Sequence, residues 1–246
     1  MLKKTSIQDK VVLVTGANRG IGKEIVIQLL ENGAKKVFSG VRVEGSMADL
    51  IEQYGSRIEE VKLDVTLGES IELASSKIPS LDVLINNAGV IPMGNFTNGN
   101  SLETLDANWH VNVRGLVAVT QAFFTKVVAS DNGAIVSISS MAGLGNMSFM
   151  GTYSASKSAV HSLMQGLRSE LKEQNVLVAT VYPGPVDTDM LTGFEIEKAS
   201  PTSVAINIVN GIKEGAEEIF PDEMSKNMGL LYLSSPKELE QQFSTF

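Results

Sequence analysis

Val11-Val12-Leu13-Val14-Thr15-Gly16-Ala17-Asn18-Arg19-Gly20-Ile21-Gly22 is the stretch that decides the fold. It opens as a short apolar run of the kind that forms a strand buried on both faces. It breaks at glycines and continues from Gly20 as an amphipathic helix to Glu31, which stops at Asn32-Gly33. Gly16 permits a tight turn, Gly20 lets a phosphate approach the backbone, and Gly22 lets helix and strand pack closely. The helix N-terminus would offer free N–H groups and a positive dipole end to a pyrophosphate. The turn residues Gly16, Asn18, Arg19, Gly20, Ile21 and Gly22 are therefore candidate dinucleotide contacts.

Outward from this corner the alternation repeats. Apolar runs expected as strands lie at 36–40, 60–63, 83–86, 134–139 and 177–182. Helical periodicity falls at 46–54, 68–77, 102–129 and 152–174. Regular alternation of this kind implies an α/β chain: a single-domain Rossmann fold, with a doubly wound, mostly parallel sheet and helices on both faces. No repeat, low-complexity stretch or linker divides residues 1–246, so one dinucleotide-binding and catalytic domain is expected. Beyond Pro183 the pattern loosens. Residues 186–197 read as irregular, with Met190, Leu191, Phe194 and Ile196 scattered along them. Ser200-Pro201 starts a helix, 218–220 reads as a short last strand, and Ser235-Pro236-Lys237-Glu238 opens a final helix with a capping box. The segment of about 186–230 is expected to shape the substrate pocket.

Composition narrows the function. The chain carries a net charge of -8, and no run of adjacent Lys or Arg exceeds two residues. A nucleic acid or an anionic membrane is not the expected partner. There is no cysteine, and His110 and His161 are the only histidines, so neither a thiolate nor a His-built metal site is expected. No apolar run reaches the ~18 residues that cross a bilayer, and Met1-Leu2-Lys3-Lys4-Thr5 lacks a signal core. The expected location is cytoplasmic.

Tyr153 and Lys157 stand one helical turn apart, so phenol and ammonium share a face. A fixed positive charge a few Å from a phenol favours phenolate and is expected to lower its pKa from ~10 toward working pH. Ser140, thirteen residues upstream of Tyr153, could hold a carbonyl oxygen beside it.

Thr-Gly-x-x-x-Gly-x-Gly at Thr15–Gly22, Asn86-Asn87-Ala88-Gly89, Ser140, Tyr153, Lys157 and Pro183-Gly184 stand in this order, and together they resemble the short-chain dehydrogenase/reductase family. The resemblance runs from residue 11 to about 190. It implies Tyr153 as catalytic acid/base and Lys157 as its pKa partner and a ligand of the nicotinamide ribose. It implies Ser140 as the residue that steadies the substrate carbonyl, with Ser139 the competing choice. Asn112 matches the asparagine that holds a water in the proton relay, a role that includes a helix kink. Asp64, followed by Val65, matches the position beside the adenine amino group, although an aspartate capping the next turn explains it nearly as well. Asn87, Ala88 and Gly89 would lie along the adenosine ribose. Pro183, Gly184, Val186 and Thr188 would border the nicotinamide. Homodimers or homotetramers built on the long helices are also implied, and Leu116, Val119, Phe123, Val127 and Val128 suggest surplus apolar surface there.

An NAD site places an acid about twenty residues past the glycines. Val41 and Arg42 stand there instead, and Arg19 lies inside the glycine turn. Two guanidinium groups suit a 2′-phosphate, so NADP(H) is the expected cofactor. Ile91, Met93, Met141, Leu144, Met147, Phe149, Met190, Leu191 and Phe194 are candidates to line an apolar pocket. The leading expectation is an NADPH-dependent reductase of ketones or aldehydes. The alternatives are a 3-oxoacyl thioester reductase and a catalytically silent dinucleotide sensor.

Overall fold

A computed structural model describes residues 5–97 and 99–245; residues 1–4 of the N-terminal stretch read above lie outside them. Strand β1 (Val11–Thr15) runs into the glycine turn and α1 (Gly20–Glu31). Then follow β2 (Lys36–Val41), α2 (Ala48–Tyr54), β3 (Ile58–Lys62), α3 (Gly68–Lys77) and β4 (Val83–Asn86). After β4 come α4 (Ser101–Asn108), a π-helical segment (Trp109–Gly115) and α5 (Leu116–Val128). The chain continues through β5 (Gly133–Ile138), α6 (Gly151–Glu170), β6 (Val176–Val181), α7 (Pro201–Glu214), β7 (Glu218–Ile219), α8 (Glu223–Ser234) and α9 (Pro236–Phe243).

The seven strands form one parallel sheet in the order β3-β2-β1-β4-β5-β6-β7. Alternation along β1 divides the core in two. Val12 and Val14 face the layer of α1 and α7, and Leu13 faces the layer of α3, α5 and α6. The strand order reverses between β1 and β4, so a crevice opens at their carboxyl ends, where doubly wound sheets bind ligands.

Four differences from the sequence expectations stand out. The long helix expected at 102–129 is interrupted by the π segment, whose wider turn inserts one residue and carries Asn112 into the interior. The apolar residues assigned to a surplus surface on that helix belong to the chain's own core. Val119, Phe123 and Val127 are fully buried, and Leu116 and Val128 pack beside them; Leu102 and Trp109 are exposed instead. Helix α8 was not expected, although Met224, Met228, Leu231 and Tyr232 repeat at helical spacing behind Asp222. The capping box sits at its start, on Asp222 and Ser225, and not at Ser235. Ser235 closes α8 with its own N–H to the Leu231 carbonyl and has ψ 76°, outside the extended geometry that aims a capping side chain.

Candidate active site

The glycine turn is held from across the sheet. Gly16 and Gly20 have φ of 63° and 53°, which a side chain would strain. Asn87 donates its side-chain amide to the carbonyls of Thr15 (2.9 Å) and Gly16 (3.0 Å). The Thr15 hydroxyl accepts from the backbone N–H groups of Asn87 and Ala88, both at 3.0 Å. A methyl group on Gly22 would lie 2.3 Å from the Gly16 carbonyl oxygen and 2.4 Å from the Asn87 amide. Helix α1 has no side-chain cap at Arg19, so its N-terminus faces the crevice uncapped. Tight glycines, an open helix start and a neighbouring guanidinium fit a dinucleotide pyrophosphate.

The crevice is a cavity of about 590 Å³. Of the expected cofactor contacts, Gly16, Asn18, Arg19, Gly20, Ile21, Gly22 and Arg42 line it at one end. Asp64, Val65, Asn87, Ala88 and Gly89 follow along the carboxyl ends of the strands, and Pro183, Gly184, Val186 and Thr188 border it from the loop after β6, with Thr188 against Gly20. Val41 faces the core, and the exposed Arg42 is the residue of that pair that reaches the cavity. Burial acts to raise the Asp64 carboxyl. Hydrogen bonds from the Thr66 hydroxyl and N–H, and then the charge of Arg42, outweigh it, so the group lies below its ordinary value. Asp64 thus caps the turn after β3 while also lining the cavity. Arg19 is engaged with the loop after β6, pairing with Asp189 at 3.2 Å between exposed side chains.

Ser140, Tyr153 and Lys157 converge on one wall. Ser139 and Ser140 follow directly on β5, and alternation sends them opposite ways. The buried Ser139 hydroxyl donates to the Lys157 carbonyl (3.0 Å), whereas the Ser140 hydroxyl accepts from the Ala142 N–H (3.1 Å) and lies where it favours the ionised form of the Tyr153 phenol. Lys157 donates from Nζ to the Ile138 carbonyl (2.9 Å) and lies 5.7 Å from the centre of the Tyr153 ring. Burial pushes the Tyr153 phenol up to about 12, with the Ser140 bond acting the other way. Burial pulls the Lys157 ammonium down to about 8. At Tyr153 burial outweighs the Ser140 contribution, so the phenol lies above its ordinary value and not below it as the spacing suggested.

Asn112 alone among the expected site residues does not line the cavity. Its carboxamide accepts from Val90 N–H (2.9 Å) and donates to the Val90 carbonyl and the Ser156 hydroxyl, both at 3.0 Å. It therefore clamps the loop after β4 to α6, one side chain away from Lys157. Gly89 lies between them: a methyl group there would be 3.3 Å from Asn112 Oδ1 and 3.6 Å from Lys157 Nζ.

Of the expected apolar wall, Ile91, Met141, Met147, Phe149, Met190, Leu191 and Phe194 line the cavity. Met93 and Leu144 do not; they pack beneath it with the buried Leu239 and Phe243 of α9. Met150 and Met224 line it without having been expected. Phe149 and Phe194 approach from opposite loops, with ring centres 6.5 Å apart. Among the described residues no three His, Asp or Glu side chains group where they could hold a metal ion, and no helix is long and apolar enough to cross a membrane.

Residues 10–199 match the family described as short chain dehydrogenase. An uncharacterized oxidoreductase of Staphylococcus saprophyticus is 34% identical over 192 residues, covering 75% of this chain and 81% of that one. An uncharacterized oxidoreductase of Staphylococcus aureus is 32% identical over 210 residues, covering 82% and 90%. A short chain dehydrogenase from Burkholderia cenocepacia, solved in complex with NADP, superposes with a TM-score of 0.90 at 30% identity, over 97% of this chain and 99% of that one. One from Burkholderia phymatum, in complex with NAD, has a TM-score of 0.84 at 23% identity over 97% and 96%, a likeness of fold.

Proposed function

The chain belongs to the short-chain dehydrogenase family of oxidoreductases, and from that premise we propose that it is an NADPH-dependent carbonyl reductase acting on apolar ketones or aldehydes. The observation that carries the proposal is the convergence of Ser140, Tyr153 and Lys157 on one wall of the cavity that begins at the glycine turn. The cofactor, when bound, supplies a hydride to the carbonyl carbon. Ser140 holds the carbonyl oxygen by its hydroxyl, and Tyr153 gives that oxygen its phenolic proton as negative charge develops. Lys157, pulled down to about 8, sits near working pH and is suited to returning a proton to the tyrosine. Asn112 keeps the loop after β4 and α6 in register around them. Alcohol oxidation would use the same groups in reverse.

NADP(H) is favoured over NAD(H) because Arg42 lines the cavity where an NAD site would present an acid. The Burkholderia cenocepacia relative, with NADP bound, supports the same choice. The wall of Met, Leu, Ile and Phe side chains, largely supplied by segment 186–230 and the loop before α6, favours an apolar substrate. An acyl group on an acidic carrier protein is disfavoured, since Asp187, Asp189, Glu195 and Glu197 are exposed on the bordering loop. A silent sensor would have no need of an intact Ser140, Tyr153 and Lys157. A cytoplasmic homo-oligomer is the assembly we expect, read by sedimentation at micromolar concentration.

The test is NADPH oxidation across aldehydes, ketones, diketones and steroids, with Tyr153→Phe as control. The variant should lose a factor of ~10² or more in turnover while binding NADPH nearly as before. Comparable turnover in the variant would overturn the assignment. Tight NADPH binding with no oxidation on any carbonyl would favour the sensor.

A further inference from the structure

The Pro183–Gly184 peptide, at the nicotinamide end of the cavity, is held at both ends. Its carbonyl accepts from the Met141 N–H at 3.0 Å and lies 3.4 Å from the Ser140 hydroxyl. Its N–H donates to Asp222 Oδ2 at 2.8 Å. Asp222 is 8% exposed and belongs to the C-terminal part of the chain that carries no recognisable motif. Its other oxygen, Oδ1, accepts from the Ser225 N–H at 2.8 Å and caps α8. The fit is close: a methyl group on Gly184 would lie 2.7 Å from Asp222 Oδ1. Glycine at 184 is thus required by the carboxylate, not by an unusual backbone angle.

We propose that Asp222 is a positioning residue for Ser140, acting through the Pro183–Gly184 peptide. Capping α8 needs one acceptor oxygen, and serine, asparagine and aspartate serve comparably there. The second oxygen does something the helix does not require. It makes a charge-assisted bond to an amide in a buried setting, which polarises that peptide and strengthens its carbonyl as an acceptor. The carbonyl in turn holds the Ser140–Met141 peptide and lies 3.4 Å from the Ser140 hydroxyl, so together with the Ala142 N–H (3.1 Å) it sets where that hydroxyl points. The same carboxylate ties this to α8, whose Met224 lines the substrate side of the cavity. Substrate wall, nicotinamide loop and Ser140 are therefore linked by one side chain.

The inference rests on the reading of Ser140 as the residue that steadies the substrate oxygen, and the test separates the two. Asp222→Asn and Asp222→Ser both keep a cap for α8 and remove the second carboxylate oxygen, so both should fold, with Tm lowered by the roughly 3–12 °C that one lost charge-assisted hydrogen bond implies. Amide hydrogen exchange should accelerate at Gly184 and also at Met141, by roughly tenfold or more, the loss expected for one charge-assisted hydrogen bond. Met141 is the decisive probe, because a residue that only caps α8 would not alter it; unchanged exchange at Met141 overturns the proposal. With a reducible carbonyl, kcat should fall roughly tenfold in Asp222→Asn while the KM for NADPH moves little. In a Ser140→Ala background the same change should cost less than about twofold more, since coupled residues are not additive. Full additivity overturns the route through Ser140. If the wild-type protein reduces no carbonyl, the functional reading fails, and the exchange rates still decide what Asp222 holds.

Discussion

Lys157→Met tests the electrostatics of the site through stability, without any substrate. Lys157 is 5% exposed, and burial lowers its pKa from 10.5 to about 8. Below pH 8 the lysine is charged in both folded and unfolded chains, and the cost of burying the charge is constant. Between about 8 and 10.5 the unfolded chain keeps a proton that the folded chain has lost, so folding stability contributed by this group rises with pH. At 1.36 kcal/mol per pH unit, the gain between pH 7 and pH 10 is about 2.5 kcal/mol. Tyr153 acts in the opposite sense only above 10, where the unfolded phenol ionises before the folded one. Urea unfolding, followed by the single tryptophan, Trp109, is measured at pH 7, 8, 9 and 10 for wild type and Lys157→Met. Other titrating groups cancel in the difference. The wild type should gain on the variant by about 2.5 kcal/mol over that range, nearly all of it above pH 8. Parallel curves would refute the argument, because they would mean the ammonium is hydrated in the folded protein.

Arg42→Ala should raise the KM for NADPH roughly ten- to a hundredfold and scarcely touch NADH, the loss of one charge-assisted bond; equal loss of both cofactors would make the arginine structural. Gly22→Ala forces a methyl group onto the Gly16 carbonyl at 2.3 Å. Overpacking of ~1–3 kcal/mol should lower Tm by roughly 2–12 °C, read by calorimetry, and dinucleotide binding should weaken with it. Phe243→Ala empties a fully buried site against Gly145, beneath the cavity wall. It should cost ~3–5 kcal/mol in urea unfolding, and an unchanged midpoint would mean that α9 is not docked as described.

The local parts of this protein were legible in the residues. β1, the glycine turn and α1 depend on a short apolar run and on glycines that few other residues could replace, so their order is readable from twelve positions. The spacing to Tyr153 favours Ser140 over Ser139; both border the cavity, and the Ser139 hydroxyl is turned to the Lys157 carbonyl. Helix α8 is written in the residues too, as Met224, Met228, Leu231 and Tyr232 recur at helical spacing behind Asp222. The resemblance implies a kink at Asn112, but Trp109–Gly115 has the composition of ordinary helix, and the form of the interruption is set by Val90, Asn108 and Ser156 hydrogen-bonding around Asn112.

By itself the sequence determined which chemical groups exist and in what order along the chain, because secondary-structure period and turn geometry are local properties. What each group meets was decided only by the tertiary structure. Lys157 lies one turn from Tyr153 in any helix, yet burial beneath β5 governs both pKa values. Arg19 sits in the glycine turn on any reading, yet Asp189, 170 residues away, takes its guanidinium. Asp222 caps α8, and only the fold brings Gly184 against its second oxygen. Desolvation and long-range pairing depend on distances that the fold sets, and no residue's neighbours along the chain specify them.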